Sequence, residues 1–331
     1  MKAVVLSEVG KLEVKEIPTP SPSSDQLLIK LLSCGICGTD RHILRGEYPA
    51  NLPLVMGHEF GGEVVKVGSA EKFQIGDWVS IDPNIVCNSC DHCRAQRFAH
   101  CRNLVALGVS INGGFAEYVL VPMSQAYKVP KTINPLHLGL VEPLACCIRG
   151  MDLAELKGGE RVAIFGGGAM GMLLVQLAKL SGASEIVLIT RQKARRDIAL
   201  KLGATRTIDP ISENVVKVLE GIDVAFEAAG VSETFHQSCA VTRAGGTVIV
   251  LGVVPENETT PFSLYGFLVK GLRIIGSYLN PATQGRAAEL VASGKLDLDS
   301  LISRQVSFDE LPDFLASEPK VGDIKYIVTP E

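Results

Sequence analysis

Between residues 162 and 276, hydrophobic positions form short apolar runs that alternate with stretches of helical periodicity. Runs of this length, bounded by glycine and polar residues, are typical of buried strands, and the amphipathic stretches between them are typical of helices. This alternation predicts an α/β domain built on a doubly wound parallel sheet. The predicted strands are residues 162–165, 185–190, 205–208, 223–226, 246–251 and 272–276, and the predicted helices are residues 192–202, 212–219 and 232–242.

The pattern of residues 1–146 differs, because its strand-like runs are separated by clusters of proline, glycine and serine. Such spacing predicts an irregular, mainly antiparallel β domain. We expect the α/β domain to span residues 147–280 and residues 281–331 to complete the β-rich domain. The predicted strands are residues 3–6, 12–16, 27–32, 62–67, 77–81 and 324–329, and the predicted C-terminal helices are residues 284–293 and 308–315.

A glycine-rich turn follows the first strand of the α/β domain. Gly166, Gly168 and Gly171, with Ala169 and Met170 between the last two, fit the pattern G-x-G-x-x-G and lead into an apolar helix. The first glycine of this pattern makes a tight turn, the second lets backbone approach a pyrophosphate, and the third lets helix pack on strand. A glycine turn that serves packing alone is the alternative, but the strand–helix alternation downstream favours a Rossmann-type dinucleotide site.

The end of the second strand indicates which dinucleotide binds. NAD-binding domains usually carry Asp or Glu there, about twenty residues beyond the glycines, to bind the ribose 2′-hydroxyl. This chain has Thr190, followed by Arg191, Lys193, Arg195 and Arg196. Guanidinium groups without a carboxylate suit a 2′-phosphate, so the sequence favours NADP over NAD. The alternative is that these cations form the solvated face of a helix.

Composition limits the range of functions. The chain has 331 residues, enough for two domains, and 47% of them are hydrophobic. Its formal charge of −4 argues against nucleic-acid and membrane-surface partners. The N-terminus has too short an apolar run for a signal peptide, and the longest apolar run, from residue 162 to residue 178, is broken by glycines. Nine cysteines without a secretory signal indicate metal ligands or free thiols in the cytoplasm.

A first group of metal-ligand residues lies in the β-rich domain. Cys37, His58 and Glu59 supply a thiolate, an imidazole and a carboxylate, a set that suits zinc with an open coordination position. Thr39 and His42 are close enough to Cys37 in sequence to carry a proton away from such a site. A buried thiol and a hydrogen-bonded core histidine, without metal, would also explain these residues.

A second group consists of cysteines alone, in a lobe of about residues 84–104. The spacing is C-x2-C-x2-C-x7-C, formed by Cys87, Cys90, Cys93 and Cys101. So short a segment has too little apolar material to fold by itself, and a tetrahedral zinc would close it. An iron–sulfur cluster also takes four cysteines, but the surrounding polar residues favour zinc. Four thiolates leave no open position, so this zinc is expected to be structural.

Over nearly its whole length, the sequence resembles the zinc-containing medium-chain dehydrogenases, and in particular their sorbitol (polyol) and threonine dehydrogenase branch. The resemblance implies a GroES-like β-rich catalytic domain, split in sequence by an inserted Rossmann domain, with the active site between them. The matching segments are residues 35–40, 57–59, 87–101, 113–118, 141–144 and 166–171.

The resemblance also assigns roles to individual residues. Cys37, His58 and Glu59 would hold a catalytic zinc, and Glu142 would lie in the same site, either as a further ligand or through the zinc-bound water. Thr39 would begin a proton relay that His42 extends. The implied activity is hydride transfer between NAD(P) and a secondary alcohol or polyol, or the corresponding ketone, with two zinc ions per chain. Homodimers or homotetramers are implied as well.

Two departures from the branch narrow the substrate and cofactor. NADP-using polyol reductases of the family carry arginines where Arg191 and Arg195 stand. Sorbitol dehydrogenases commonly have an Arg-Tyr pair where this chain has Leu279 and Asn280, which argues against sorbitol itself and leaves another polyol, or a polyol phosphate, as an alternative substrate. Threonine or another amino alcohol is an alternative substrate. The sequence is also compatible with a zinc-free reductase, a zinc-dependent nucleic-acid binder or a catalytically inactive structural relative.

Overall fold

A computed structural model describes residues 1–69, 72–254 and 258–330 of the chain. The chain forms two compact units. The first contains Met1–Ala145, Asn280–Pro319 and the residues from Lys325 onward, and the second contains Cys146–Leu279 and Lys320–Ile324. The predicted boundaries lay at residues 146 and 280, and the structure additionally groups Lys320–Ile324 with the second unit.

The strands are numbered in chain order. They are β1 (Lys2–Glu8), β2 (Lys11–Glu16), β3 (Gln26–Gly35), β4 (Leu54–Val55), β5 (Glu59–Val67), β6 (Trp78–Ile81), β7 (Asn84–Ile85), β8 (Val105–Ala106), β9 (Tyr118–Pro122), β10 (Ala126–Val129), β11 (Arg161–Phe165), β12 (Glu185–Ile189), β13 (Arg206–Ile208), β14 (Ile222–Glu227), β15 (Thr242–Val250), β16 (Arg273–Gly276), β17 (Ile302–Ser307) and β18 (Lys325–Thr329).

The α-helices are numbered in the same way. They are α1 (Gly38–Leu44), α2 (Asp91–Arg94), α3 (Val141–Ala154), α4 (Ala169–Leu180), α5 (Lys193–Leu202), α6 (Val215–Val218), α7 (Ser232–Val241), α8 (Leu264–Lys270), α9 (Gln284–Ala292) and α10 (Leu311–Ala316). A 3₁₀ helix at Pro135–Leu140 leads directly into α3. The chain passes from the first unit to the second within α3.

The first unit is built around a sheet with the strand order β10-β6-β5-β3-β18-β17, in which β9 also pairs with β3. The pairs are antiparallel except β17 with β18. Along β3, Leu27, Ile29 and Leu31 belong to the core of this unit, as the period of two in a strand predicts for residues on one face. A smaller sheet, β2-β1-β4, and the β7–β8 pair belong to the same unit. The predicted mainly antiparallel, GroES-like domain is confirmed.

The second unit has one sheet with the order β13-β12-β11-β14-β15-β16, and every pair in it is parallel. Val162 to Phe165 are fully buried, which fits a strand covered on both faces. The chain runs outward from β11 through β12 to β13 and then resumes on the other side at β14. This reversal of strand order is the switch point where doubly wound sheets bind ligands, so the predicted Rossmann architecture is confirmed.

Most predicted elements agree with the structure, but some bounds were wrong. The predicted helix at residues 212–219 is only the single turn α6. The residues before it form turns instead, because the side chain of Asp209 accepts a hydrogen bond from the N–H of Ile211 and the side chain of Asn214 accepts one from the N–H of Lys217. The prediction also missed the long helix α3. Within the described ranges, the structure has no helix that is both long and apolar enough to cross a membrane.

Candidate zinc and dinucleotide sites

The predicted zinc ligands of the first unit lie together where two neighbouring strands meet. β3 and β5 are antiparallel, and their register pairs Gly35, the last residue of β3, with Glu59, the first residue of β5. Cys37 follows β3 closely and His58 directly precedes β5, so the pairing brings their side chains to one point. The ligand atoms of Cys37, His58 and Glu59 all lie within 4.8 Å of one another. This spacing suits a single tetrahedral zinc.

Asp40 lies beside two of these ligands. Its buried carboxylate accepts a 2.8 Å hydrogen bond from the backbone N–H of Cys37, and its other oxygen lies 3.5 Å from Nδ1 of His58. Burial by itself lowers the pKa of His58, but Asp40 and Cys37 outweigh burial and raise this pKa well above its usual value. The pocket therefore favours a positive charge. A carboxylate behind a histidine ligand is the usual second partner in zinc sites.

Lys325 lies on the other side of the predicted ligands. Its buried ammonium group contacts the carboxylate of Glu59 and donates a 3.0 Å hydrogen bond to the carbonyl of Ile36. Burial disfavours the charge, but Glu59 stabilises it and the pKa of Lys325 is raised. Gly35 lies directly beneath this pair, and a Cβ atom there would overlap Glu59, the carbonyl of Gly139 and the Lys325 side chain. Only glycine fits at that position.

The predicted proton-relay residues lie on α1. The hydroxyl of Thr39 is 3.6 Å from Sγ of Cys37. His42 is one turn further along the helix, half-buried, and its Nδ1 lies 2.6 Å from a carboxylate oxygen of the exposed Glu47. Glu142 is buried at the start of α3, directly after the 3₁₀ helix that packs on β3 and β5. Among the described residues, the compact ligand group of this site contains Cys37, His58 and Glu59.

The four cysteines of the predicted structural site also come together, with ligand atoms within 4.8 Å of one another. Cys90 caps α2 and accepts a hydrogen bond from the N–H of Cys93, while Cys87 accepts one from the N–H of Cys90. Hydrogen bonds from Ser89 lower the pKa of the Cys87 thiol to about 5, and bonds from backbone N–H groups of Arg102 and Cys93 lower that of Cys90. N–H groups directed at sulfur favour the thiolate form of these two cysteines, the form that binds zinc, whereas burial raises the pKa of Cys93 to about 12.

The glycine-rich turn of the second unit has the conformation predicted for a pyrophosphate site. Gly166 has φ +112°, a left-handed conformation that favours glycine, and a Cβ atom at Gly171 would overlap the carbonyl of Gly166. Gly168 caps α4, and a Cβ atom there would meet no atom within 4 Å. Ala169 and Met170 form the first turn of α4. The first N–H groups of α4 have no acceptor within the helix, and Gly168 carries no side chain that could cap them, which is the arrangement that binds phosphate.

The structure separates the basic residues that sequence reasoning treated as one group. Thr190 is buried directly after β12, with its side chain against Gly167. Arg191 is exposed. Arg195 is partly buried and donates a hydrogen bond to the carbonyl of Asp323. Arg196 donates to the carbonyls of Thr190 and Arg191 and pairs with Asp209, so it fixes this loop. Of the two arginines predicted to bind the 2′-phosphate, Arg191 and Arg195, Arg191 is the one with an exposed side chain.

Sequence reasoning missed two buried residues of the zinc site, Asp40 and Lys325. Asp40 had a usable signal, because it lies within the same short motif as Cys37 and Thr39. Lys325 had none, since it is 266 residues away from Glu59 in sequence and reaches it only because β18 pairs with β3.

Comparisons with known proteins agree with this geometry. Residues 23–131 match the family model of the alcohol dehydrogenase GroES-like domain, and residues 169–293 match that of the zinc-binding dehydrogenases. The chain is 36% identical to L-threonine 3-dehydrogenase of Pyrococcus horikoshii, covering 99% of both chains. It is 29% identical to sorbitol dehydrogenase of Bacillus subtilis, covering 95% of this chain and 92% of that protein.

A crystal structure from Sinorhizobium meliloti 1021, described as a zinc-binding dehydrogenase bound to NADP, is 46% identical with a TM-score of 0.98, and 99% of each chain is covered. These matches span both units and include the segments that carry the cysteine, histidine and glycine motifs. The chain therefore belongs to the zinc-containing medium-chain alcohol and polyol dehydrogenase family.

Proposed function

We propose that this protein is a zinc-dependent dehydrogenase that transfers a hydride between NADP and a secondary alcohol or polyol. The observation that carries the proposal is the convergence of Cys37, His58 and Glu59 within 4.8 Å, in a chain that also contains a Rossmann unit. Three protein ligands of mixed type leave zinc a position for substrate, whereas the four cysteines of the other group do not.

The residues of the site fit a zinc ion. The charges around His58 favour a cation, the Asp40 carboxylate lies 3.5 Å from its imidazole, and Cys37 is partly accessible. Bound zinc would act as a Lewis acid on the substrate oxygen, and bound NADP⁺ would accept the hydride from an alcohol or bound NADPH would deliver it to a ketone. The protein supplies the ligand set, the position of the dinucleotide and a route for the proton.

Thr39 is the proposed first residue of that proton relay, because its hydroxyl lies beside Cys37 and both residues are partly exposed. Its oxygen would accept the hydroxyl proton of the alcohol while its own proton passes outward. His42 is the proposed next residue of the relay, and the carboxylate of Glu47 would hold its imidazole through Nδ1. Glu142 is proposed to bind in the same site as a further ligand or through water, since it is buried at the end of the 3₁₀ helix on β3 and β5.

The preference for NADP is supported by the end of β12. Thr190 occupies the place where a carboxylate would bind a ribose hydroxyl, and Arg191 is exposed beside it. A guanidinium can bind a 2′-phosphate through two hydrogen bonds. The similar chain from Sinorhizobium meliloti holds NADP, which favours the same choice here.

One activity screen tests the proposal. Zinc-loaded protein would be assayed at 340 nm with NADP and with NAD against sugar alcohols, their phosphates, 2,3-butanediol and L-threonine. We expect turnover of a secondary alcohol with NADP ahead of NAD. Absence of turnover across the whole panel, with both zinc groups loaded, would favour the inactive structural relative instead.

L-threonine is the second candidate substrate. The identity of 36% to an L-threonine 3-dehydrogenase along the whole chain favours it, and threonine also carries a secondary hydroxyl. The screen distinguishes the candidates, because threonine turnover would require a site for the amino acid's charged groups. Activity with polyols and none with threonine would exclude it.

A homo-oligomer is also proposed, either a dimer or a tetramer. β16 is the last strand of its sheet among the described residues, and an unpaired edge strand can pair with another chain. On α8, Leu264, Tyr265, Leu268 and Val269 are all more than half exposed. Apolar clusters of this kind mark interfaces. Light scattering after gel filtration of the wild type and a Leu268→Asp variant would test this; a monomeric wild type would contradict it.

We further propose that the protein works in a reducing compartment such as the cytoplasm. Five of the nine cysteines belong to the two ligand groups, and each of the five would have to be a thiolate to hold a metal there. Oxidation to disulfides would remove those ligands. Zinc content measured before and after mild oxidation would test the requirement, and full retention of zinc in the oxidised protein would contradict it.

A further inference from the structure

We infer that Glu227 is a positioning residue for the dinucleotide, because its carboxylate holds the loop that closes the switch point of the Rossmann sheet. The inference rests on the dinucleotide binding proposed above. Glu227 is the last residue of β14, it is 2% exposed, and its neighbour in the register of β11 is Phe165, the residue directly before the glycine turn. It therefore lies at the carboxyl edge of the sheet, beside the point where ligands bind.

One carboxylate oxygen of Glu227 accepts three hydrogen bonds. The backbone N–H groups of Ala229 and Gly230 donate at 2.9 Å each, and the hydroxyl of Thr234 donates at 2.7 Å. Ala229 and Gly230 belong to the loop between β14 and α7, and Thr234 belongs to the first turn of α7. None of these donors is charged, so the carboxylate shapes this loop through hydrogen bonds.

The loop that Glu227 holds packs against the glycine turn. A Cβ atom at Gly166 would lie 2.8 Å from the carbonyl of Ala228 and 2.9 Å from the N–H of Ala229. The backbone carbonyl of Glu227 also accepts hydrogen bonds from the N–H groups of Leu251 and Gly252, which follow β15. Glu227 thus connects the loops after β14 and β15 and sets the distance of the first from the pyrophosphate turn.

A purely structural carboxylate would stabilise the fold without affecting cofactor affinity, and β14 itself offers such a control. Asp223, near the opposite end of the strand, accepts hydrogen bonds from the N–H of Arg161 and the side chain of Arg243. It lies at the amino edge of the sheet, where doubly wound sheets do not bind ligands. Glu227→Ala and Asp223→Ala therefore each remove a hydrogen-bonded carboxylate from the same strand at opposite edges.

The test measures the dissociation constants of NADP and NAD by isothermal titration calorimetry, together with thermal midpoints and zinc content. We expect Glu227→Ala to weaken binding of both dinucleotides about tenfold or more, since three buried donors lose their acceptor. Asp223→Ala should bind within about twofold of the wild type even if its midpoint falls equally. Glu227→Gln should restore most of the affinity, because its amide oxygen keeps an uncharged acceptor with two lone pairs at the same position.

Unchanged affinity in a folded Glu227→Ala protein would overturn the inference, and so would equal weakening by Asp223→Ala. Weak binding by Glu227→Gln would also overturn it, because the charge rather than the hydrogen bonds would then be responsible. If Glu227→Ala does not fold, Thr234→Val removes one of the three donors and should weaken binding by a smaller factor; unchanged affinity would again count against the inference. A wild-type protein that binds neither dinucleotide would instead overturn the proposed function.

Discussion

The ammonium group of Lys325 contacts the carboxylate of Glu59, and both side chains are almost completely buried. Glu59 is one of the three predicted zinc ligands, so a bound zinc ion would compete with the lysine for its carboxylate. Removing one partner of a buried ion pair leaves an uncompensated charge, which typically costs about 3–5 kcal/mol. The lysine therefore has its largest effect on stability when no zinc is bound.

Lys325→Met tests this relationship. We expect the variant to lose free energy of unfolding relative to the wild type, and to lose more in metal-free than in zinc-loaded protein, because zinc supplies Glu59 with a second cation. Urea unfolding of the wild type and the variant, each with and without zinc, gives the loss of unfolding free energy in the two metal states, and these two losses are compared. Removal of metal from the four-cysteine group affects both proteins alike and cancels. Equal losses in both states would contradict the idea that zinc and Lys325 share Glu59.

Cys37→Ser should separate chemistry from cofactor binding. The substitution removes one of three ligands of the proposed catalytic zinc, so we expect turnover to fall by about a thousandfold or more. Dinucleotide affinity should stay unchanged, and zinc content should fall from about two to about one ion per chain. Calorimetric titration with NADP and metal analysis measure both. Parallel loss of turnover and NADP affinity would argue against the assignment.

Cys90→Ser is the matched substitution in the four-cysteine group. In this group four thiolates complete the coordination of the metal, so the metal has no position for substrate. Loss of one thiolate should therefore lower the stability of the protein. We expect a lower thermal midpoint and again about one zinc ion per chain fewer. Differential scanning calorimetry of both serine variants makes the comparison. A Cys90→Ser protein with the same thermal midpoint as the wild type would contradict the structural role of the four-cysteine group.

Arg191→Gln tests the cofactor preference. A hydrogen bond to a charged group contributes about 1.5–3 kcal/mol, so the KM for NADP should rise by roughly tenfold to a hundredfold. The KM for NAD should stay the same, because NAD has no 2′-phosphate. Lys193→Gln is the control, since Lys193 is an exposed cation on the same segment that pairs with Asp197. An equal effect of both variants would indicate general electrostatic attraction instead.

Asp82 makes stability depend on pH. Burial raises the pKa of its carboxyl from 3.8 to about 6, although hydrogen bonds from Asn84 oppose the shift. The folded protein therefore binds this proton more tightly than the unfolded chain does, and Asp82 lowers the free energy of unfolding as pH rises from about 4 to 6, by about 3 kcal/mol at most.

Asp82→Asn should abolish that component, because its amide does not titrate while its oxygen can still accept the N–H of Asn84. We expect the free energy of unfolding of the variant, minus that of the wild type, to increase between pH 4.5 and pH 7. Urea titrations across this range measure the difference, in which the other carboxyl groups cancel. A difference that does not vary with pH would show that Asp82 does not titrate there.

The sequence predicted the parts of the fold and site that are encoded locally. The glycine turn and the four cysteines each lie in one short motif whose spacing constrains geometry. Cys37 and the His58–Glu59 pair lie in two short motifs, which the pairing of β3 with β5 brings together. The parallel sheet followed from uninterrupted apolar runs such as residues 162–165, which need cover on both faces.

The sequence did not reveal contacts that depend on long-range packing. Lys325 and Glu227 resemble ordinary charged residues until β18 pairs with β3 and β14 places its end beside the glycine turn. The adjacent arginines 195 and 196 looked equivalent to Arg191, yet the fold uses both in hydrogen bonds to backbone carbonyls. Which arginine remains open depends on the path of the loop after β12, and residue type does not determine that path.

Anomalous X-ray scattering at the zinc edge, measured on crystals of the zinc-loaded protein, tests the central claim most directly. We expect two zinc peaks per chain, one of them about 2.0–2.3 Å from Sγ of Cys37, the imidazole of His58 and a carboxylate oxygen of Glu59. A single peak within the cysteine group of residues 87–101, with no density between Cys37 and His58, would contradict it.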